Sequence, residues 1–371
     1  MVLAFLDQLK ALWEPLANLS SLMARAGLAA VVAFLVALAL GPRLLAWLKR
    51  RQFIENETNT FSDRLNELNA DKPPTPTMGG LMIVGAVLVS GVLFGDLSNS
   101  YVQLAILSTL GYGFIGFIDD WVKLTHPGSK GLQAAAKYGL QLLVASSLAF
   151  AVTVIFQRQG LPQLLALHVP FTDGVVFDLS TLGGLPHILF VLLVVTGTSN
   201  AVNLTDGMDG LAAGSMVVAA MAMAVLCVAV GRAQQLQLDL FYVPRSQELT
   251  VFCSAMVGAT LGFLWFNAAP ALVYMGDTGS LPLGSLLGYV AVVTKQELVL
   301  VIIGGVFVIE ALSVILQVGW FKATGGQRLF RCSPLHHHFQ FAGIPNTRIV
   351  TRFWIAAVLC AAAGMASLAV A

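Results

Sequence analysis

Charge is what this sequence has least of. Of its 371 residues only 11% are Asp, Glu, Lys or Arg, where an ordinary soluble domain carries about 25%. That deficit excludes a soluble globular protein and a disordered one. Because 57% of the residues are hydrophobic and gather in runs near 20 residues long, the solvent for most of the chain is lipid. The formal charge is only +1, so no overall field attracts a polyanion. Nucleic acid is therefore excluded as a partner, and an acidic ligand must be held by local placement of charge. Cysteine is also scarce. Cys227, Cys253, Cys332 and Cys360 lie far apart, with no CxxC or metal-ligand spacing, and are expected to pack rather than form a disulfide framework. Residues 1–20 lack the early basic region and long apolar core of a cleavable signal. Leu3, Leu6, Leu9 and Leu12 beside Asp7, Lys10 and Glu14 predict an interfacial amphipathic helix there.

What is present is a series of apolar segments. A span takes about 20 apolar residues. Cutting at polar breaks predicts ten, at 22–48, 78–98, 101–122, 132–156, 185–205, 210–231, 249–267, 280–294, 297–321 and 350–370, the eighth being short. The expected fold class is an all-α polytopic membrane protein, one integral domain over 1–371, with a small β-hairpin at Val169–Leu179 around Asp173-Gly174. Alternation puts connections 49–77, 122–131, 200–210, 268–280 and 322–349 on one side. Fourteen of the twenty Lys and Arg residues fall with them. By the positive-inside rule that side is cytoplasmic, and the hairpin and both termini are periplasmic.

The residues with chemical potential fall in those five connections. In Asp71-Lys-Pro-Pro-Thr-Pro-Thr-Met-Gly-Gly80, Lys72 and Thr77 stand near a helix start, where an anion is favoured; a stiff linker with a solvated lysine is the plainer reading. Asp119 and Asp120 close an apolar, glycine-rich span. Adjacent like charges at a membrane boundary need a compensating cation, and Mg²⁺ takes such hard oxygen ligands; a pair of acids that simply marks the end of the span is the plainer alternative. Lys123, Lys130 and Lys137 recur at seven-residue intervals and suit phosphates, although Pro127-Gly128 argues against one continuous helix.

Asn200, Asn203, Asp206 and Asp209 crowd one helix end. Asparagines in a membrane also serve as helix-packing glue, but four such groups in ten residues exceed that need. The spacing is not that of an EF-hand. Gly276-Asp277-Thr-Gly-Ser280 opens a helix with amides and a carboxylate together, a place for a metal and a phosphate; no Walker A motif accompanies it. Asn267 precedes it, and Tyr274 offers a stacking face for a base or simply packs. His336, His337 and His338 are consecutive, hence 100° apart on a helix, and cannot all ligate one ion. They suit substrate contacts better than zinc. Glu310 is an intramembrane acid with no partner evident along the chain.

In order along the chain, the aspartate pair, Asn203-x-x-Asp206-Gly-x-Asp209-Gly, Gly276-Asp-Thr-Gly-Ser280 and Pro334-Leu-His-His-His-Phe339 resemble the bacterial phospho-N-acetylmuramoyl-pentapeptide transferases of the polyprenyl-phosphate N-acetylhexosamine-1-phosphate transferase superfamily. Tyr274, Ser333 and Gln340 stand where those enzymes usually have Phe, Ala and Glu. The resemblance implies ten spans in the bacterial cytoplasmic (inner) membrane, a cytoplasmic active site, Mg²⁺ and a homodimer. It implies transfer from UDP-N-acetylmuramoyl-pentapeptide to undecaprenyl phosphate, giving lipid I and UMP.

It further implies Asp277 as a Mg²⁺ ligand, with Asp119, Asp120 and Asp206 near the metal or acceptor. Lys72, Asp209, Asn267 and Tyr274 then hold the uridine diphosphate, and His336 to His338 the substrate phosphates. The candidate catalytic residues are thus Asp119, Asp120, Asp277 and the three histidines. Direct attack by the lipid phosphate and a covalent phospho-sugar intermediate both remain open, with direct attack favoured because the acceptor is already an anion. Two other readings compete. One is a related transferase using UDP-N-acetylglucosamine. The other is an ion-coupled secondary transporter, which the lack of an internal repeat disfavours.

Overall fold

The computed structural model describes residues 20–55, 67, 74–126, 129–169, 175–237 and 240–366. The chain is a multi-pass membrane protein. Its helices are α1 (Leu22–Arg50), α2 (Gly80–Phe94), α3 (Ser100–Thr125), α4 (Ala134–Gln159), α5 (Thr181–Thr205), α6 (Leu211–Gly231), α7 (Leu249–Asn267), α8 (Asp277–Val293), α9 (Glu297–Ile303), α10 (Gly305–Ala323), α11 (Leu335–Phe341) and α12 (Asn346–Ala366). Eight helices among the described residues are long and apolar enough to cross a bilayer: α1, α3, α4, α5, α6, α7 extended back to Ser246, α10 and α12.

The other two expected spans fall on α2 and α8, of 15 and 17 residues. At 1.5 Å per residue these reach only about 22 and 25 Å, short of about 30 Å of hydrocarbon. For α8 the mismatch has a physical reason. All 17 of its residues are buried, so protein surrounds it, and α3, α5 and α2 are its neighbours. The predicted ninth span is two helices, α9 and α10, meeting at Gly304, a residue that commonly marks a helix kink.

The predicted hairpin is present with a shifted first strand. β3 (Ala166–His168) pairs antiparallel with β4 (Val175–Asp178), Leu167 opposite Phe177. Its Asp-Gly turn lies outside the described residues, as do the amphipathic segment 1–19, Lys72 and Pro127-Gly128. A second antiparallel pair was not expected: β1 (Ile54–Glu55) with β2 (Thr75–Pro76).

Two close approaches fix the centre. A Cβ on Gly116 of α3 would stand 2.1 Å from the Asp277 carbonyl oxygen, and one on Gly80 of α2 would stand 2.1 Å from Gly279 N. Bare glycine backbones on two helices therefore touch the first turn of α8, and no other residue type fits there. At the far end of the bundle Arg25 of α1 grips Glu248, at 2.7 and 2.8 Å, and donates to the Phe94 carbonyl at 2.8 Å.

Candidate active site

The strand-like stretch before α8 sets its starting point. Tyr274 N donates to the Pro76 carbonyl (2.8 Å), Gly79 N to the Tyr274 carbonyl (2.8 Å) and Gly80 N to the Met275 carbonyl (2.9 Å). Gly276 then turns at φ +70°, and α8 begins at Asp277. The first amides of a helix have no partner within it. Here Asp120 of α3 supplies one: its Oδ2 accepts from Thr278 N (2.9 Å) and Oγ1 (2.7 Å), and its Oδ1 from Asp277 N (3.2 Å). The carboxylate also sits well against the positive end of the helix dipole.

Asp119 is buried beside it and accepts from Leu132 N at 2.9 Å. Asp119, Asp120 and Asp277 thus each bring an oxygen within 4.8 Å of the others. Two lysines compensate them. Lys123 Nζ stands 2.6 Å from Asp119, 3.2 Å from Asp277 and 3.6 Å from Asp120, and Lys137 pairs with Asp277 and lies 3.7 Å from Asp119. Three carboxylates against two ammoniums leave one negative charge. A group of buried hard oxygens with residual negative charge fits a divalent cation such as Mg²⁺. Lys130 is exposed on the loop between the other two lysines.

The remaining polar residues divide by what they hold. Asn203 donates to Asp277 Oδ1 (2.7 Å) and Ser280 Oγ (2.9 Å), fixing the carboxylate by the oxygen opposite the one the lysines meet. Asn200 instead donates to Gln141 of α4 (2.7 Å) and to the Thr196 carbonyl (2.8 Å), a contact between helices. Asp206 caps the end of α5 and is not one of the three clustered carboxylates. Asn267 accepts from Gly210 N (2.9 Å) and donates to the Val273 carbonyl (2.9 Å), while Asp209 Oδ2 accepts from Ala271 N (3.0 Å). The connections after α5 and α7 are thereby clasped together. Tyr274 is half-buried along the second of them. Thr77 Oγ1 is buried without a hydrogen-bond partner among the described residues, and a Cβ on Gly276 would come within 3.1 Å of it.

The three histidines are not equivalent. His336 is fully buried, and its partner is Glu310, the acid that the sequence left unpaired. Glu310 Oε1 accepts from His336 N at 3.1 Å and Oε2 lies 3.0 Å from Nδ1. His337 and His338 are half-buried; His337 Nδ1 lies 2.9 Å from Gln340 Oε1, and His338 Nδ1 accepts from Arg331 N at 3.2 Å. Thr278 and Ser280 also belong to the site, and both lie on the Gly276-Asp-Thr-Gly-Ser280 motif. The arrangement suits chemistry on anions: clustered carboxylates for a metal ion, with two lysines at the same point.

Comparison with known proteins agrees with that chemistry. Residues 102–295 match the family model described as "Glycosyl transferase family 4". The phospho-N-acetylmuramoyl-pentapeptide-transferase of Nitratidesulfovibrio vulgaris (strain DP4) is 47% identical over 339 residues, 90% of each chain. Those of Oleidesulfovibrio alaskensis and Thermodesulfovibrio yellowstonii are each 45% identical, over 89% and 91% of both chains respectively.

Proposed function

The chain belongs to the phospho-N-acetylmuramoyl-pentapeptide-transferase family, and we propose that its reaction runs on the three carboxylates Asp119, Asp120 and Asp277. The reaction moves phospho-N-acetylmuramoyl-pentapeptide from its UDP carrier to undecaprenyl phosphate, giving lipid I and UMP. The observation that carries the site assignment is the meeting of carboxylates 157 residues apart in the chain, held by Lys123 and Lys137.

Two phosphorylated substrates must meet, so catalysis consists chiefly of charge neutralisation and alignment. An oxygen of the lipid phosphate attacks the sugar-bearing phosphorus of the donor, a new P–O–P linkage forms, and UMP leaves. The acceptor is already anionic and needs no covalent help from the protein. Asp119, Asp120 and Asp277 would hold Mg²⁺, which when bound supplies Lewis-acid neutralisation of phosphoryl oxygens. Asp120 also keeps the first turn of α8 in place, and Asn203 orients Asp277. Lys123 and Lys137 can turn from the carboxylates to the substrate phosphates. Thr77 and Lys72, with Asp209 and Tyr274, are the proposed uridine diphosphate contacts, and His337 and His338 the contacts to substrate phosphates. The lysine and arginine bias supports a cytoplasmic site with periplasmic termini.

The test is UMP release by purified protein given Mg²⁺ and UDP-N-acetylmuramoyl-pentapeptide. UMP is expected only when undecaprenyl phosphate is added, and folded protein that releases none under those conditions would defeat the reading. UDP-N-acetylglucosamine is expected to give no product; equal release would reassign the donor.

A further inference from the structure

Glu310 lies in the apolar helix α10 with none of its side chain exposed. An ionisable group buried there is costly unless compensated. Both of its oxygens are engaged by one residue, His336, whose backbone N and Nδ1 they meet at 3.1 and 3.0 Å. A carboxylate at Nδ1 fixes the proton on that nitrogen, so Nε2 faces the other way. It too is buried, without a hydrogen-bond partner among the described residues. What it meets is Gly207: a Cβ there would stand 2.3 Å from Nε2. The ring is therefore clamped between a carboxylate and a stretch of backbone.

That backbone is the connection between α5 and α6. Asn203, four residues before Gly207, orients Asp277. Two residues beyond it Asp209 holds Ala271, and Gly210 is held by Asn267 through its N–H and by Trp354 of α12 through its carbonyl. The connection is fastened at both ends, and His336 presses on its middle.

We propose that Glu310 is a positioning residue, which through His336 fixes the Asp206–Asp209 connection in the arrangement the transfer needs. His336 then acts as a wedge under the substrate site rather than as a substrate contact, which separates it from His337 and His338. This inference rests on the transferase reading above.

The test is a set of full-length variants in lipid nanodiscs: Glu310→Gln, Gly207→Ala and the double variant. Turnover is normalised to sites that bind the nucleotide-sugar donor. Glutamine keeps the size but accepts from only one of the two donors; alanine displaces the ring from the other side. Each single change is expected to lower kcat about 10- to 100-fold, the range seen when a carboxylate behind a metal-bound histidine is lost, with the donor KM within about threefold of wild type. Because both act through one ring, the double variant is expected to fall no further than the worse single one. A kcat within twofold of wild type for either single variant, or losses that multiply, would overturn the proposal. So would an unchanged kcat per binding site accompanied only by lower melting temperature. Should Glu310→Gln not fold, Gly207→Ala alone carries the kcat and KM comparison. Inactive wild-type protein in the same assay would instead defeat the functional reading.

Discussion

Asn203 spends one amide on two acceptors, the Asp277 carboxylate and the Ser280 hydroxyl. A hydrogen bond to a charged group is worth about 1.5–3 kcal/mol. Asn203→Ala is therefore expected to lower kcat/KM for UMP release roughly 10- to 100-fold, and a loss below threefold would remove Asn203 from the orientation of Asp277. Asn200, one turn earlier, points to Gln141 instead, and Asn200→Ala is expected to lower the melting temperature more than it lowers turnover. At this scale the aspartates were legible because acids in apolar sequence are expensive and demand an explanation. The division of labour between Asn200 and Asn203 was not. A helical period places both on one face, but only the packing of α4 and α8 shows which neighbour each one meets. Glu310 was legible as an anomaly and not as a pair, since its partner lies 26 residues away across a helix break.

Helix α8 is the element on which the site is built, and its first turn is gripped by glycines of α2 and α3. Gly116→Ala would drive a methyl group into the Asp277 carbonyl. Such overpacking costs about 1–3 kcal/mol, so this variant is expected to unfold at a lower temperature in detergent and to lose activity, because Asp120 could no longer reach the Thr278 amide. Retention of both properties would contradict the close approach. Most spans were readable from apolar runs, since lipid demands them. α8 reads as a short span because its polar first turn breaks the run, and it tolerates that turn by being surrounded with protein. The break at Gly304 was not readable, because glycine is common in membrane helices and only some of them bend. The β1–β2 pair has two residues a strand and leaves no periodic signal.

By the alternation of spans in the sequence, fourteen of the twenty lysines and arginines fall on the proposed cytoplasmic side, with the carboxylate cluster and the histidine run. Cys332 reports on that side, as it lies between α10 and α11 and is half-buried, whereas Cys227 and Cys253 are buried. A membrane-impermeant maleimide is expected to label Cys332 in inside-out vesicles and not in right-side-out ones; the reverse pattern would invert the proposed orientation. Burial pushes the Cys332 thiol above its ordinary value and outweighs the positive charge of nearby Arg328. Only the thiolate reacts, so the labelling rate should keep rising with pH beyond about 8.5, the ordinary thiol pKa, rather than level off there.

In the proposed reaction the transfer depends on a divalent cation held by Asp119, Asp120 and Asp277. This dependence is tested most directly by the rate of UMP release against Mg²⁺ concentration for wild-type protein and Asp277→Asn, both shown to be folded by thermal unfolding. The wild-type rate is expected to vanish on chelation and return with Mg²⁺, and the variant to be about 100- to 1,000-fold slower at every Mg²⁺ concentration. A variant with near-normal turnover and the same Mg²⁺ dependence would contradict it.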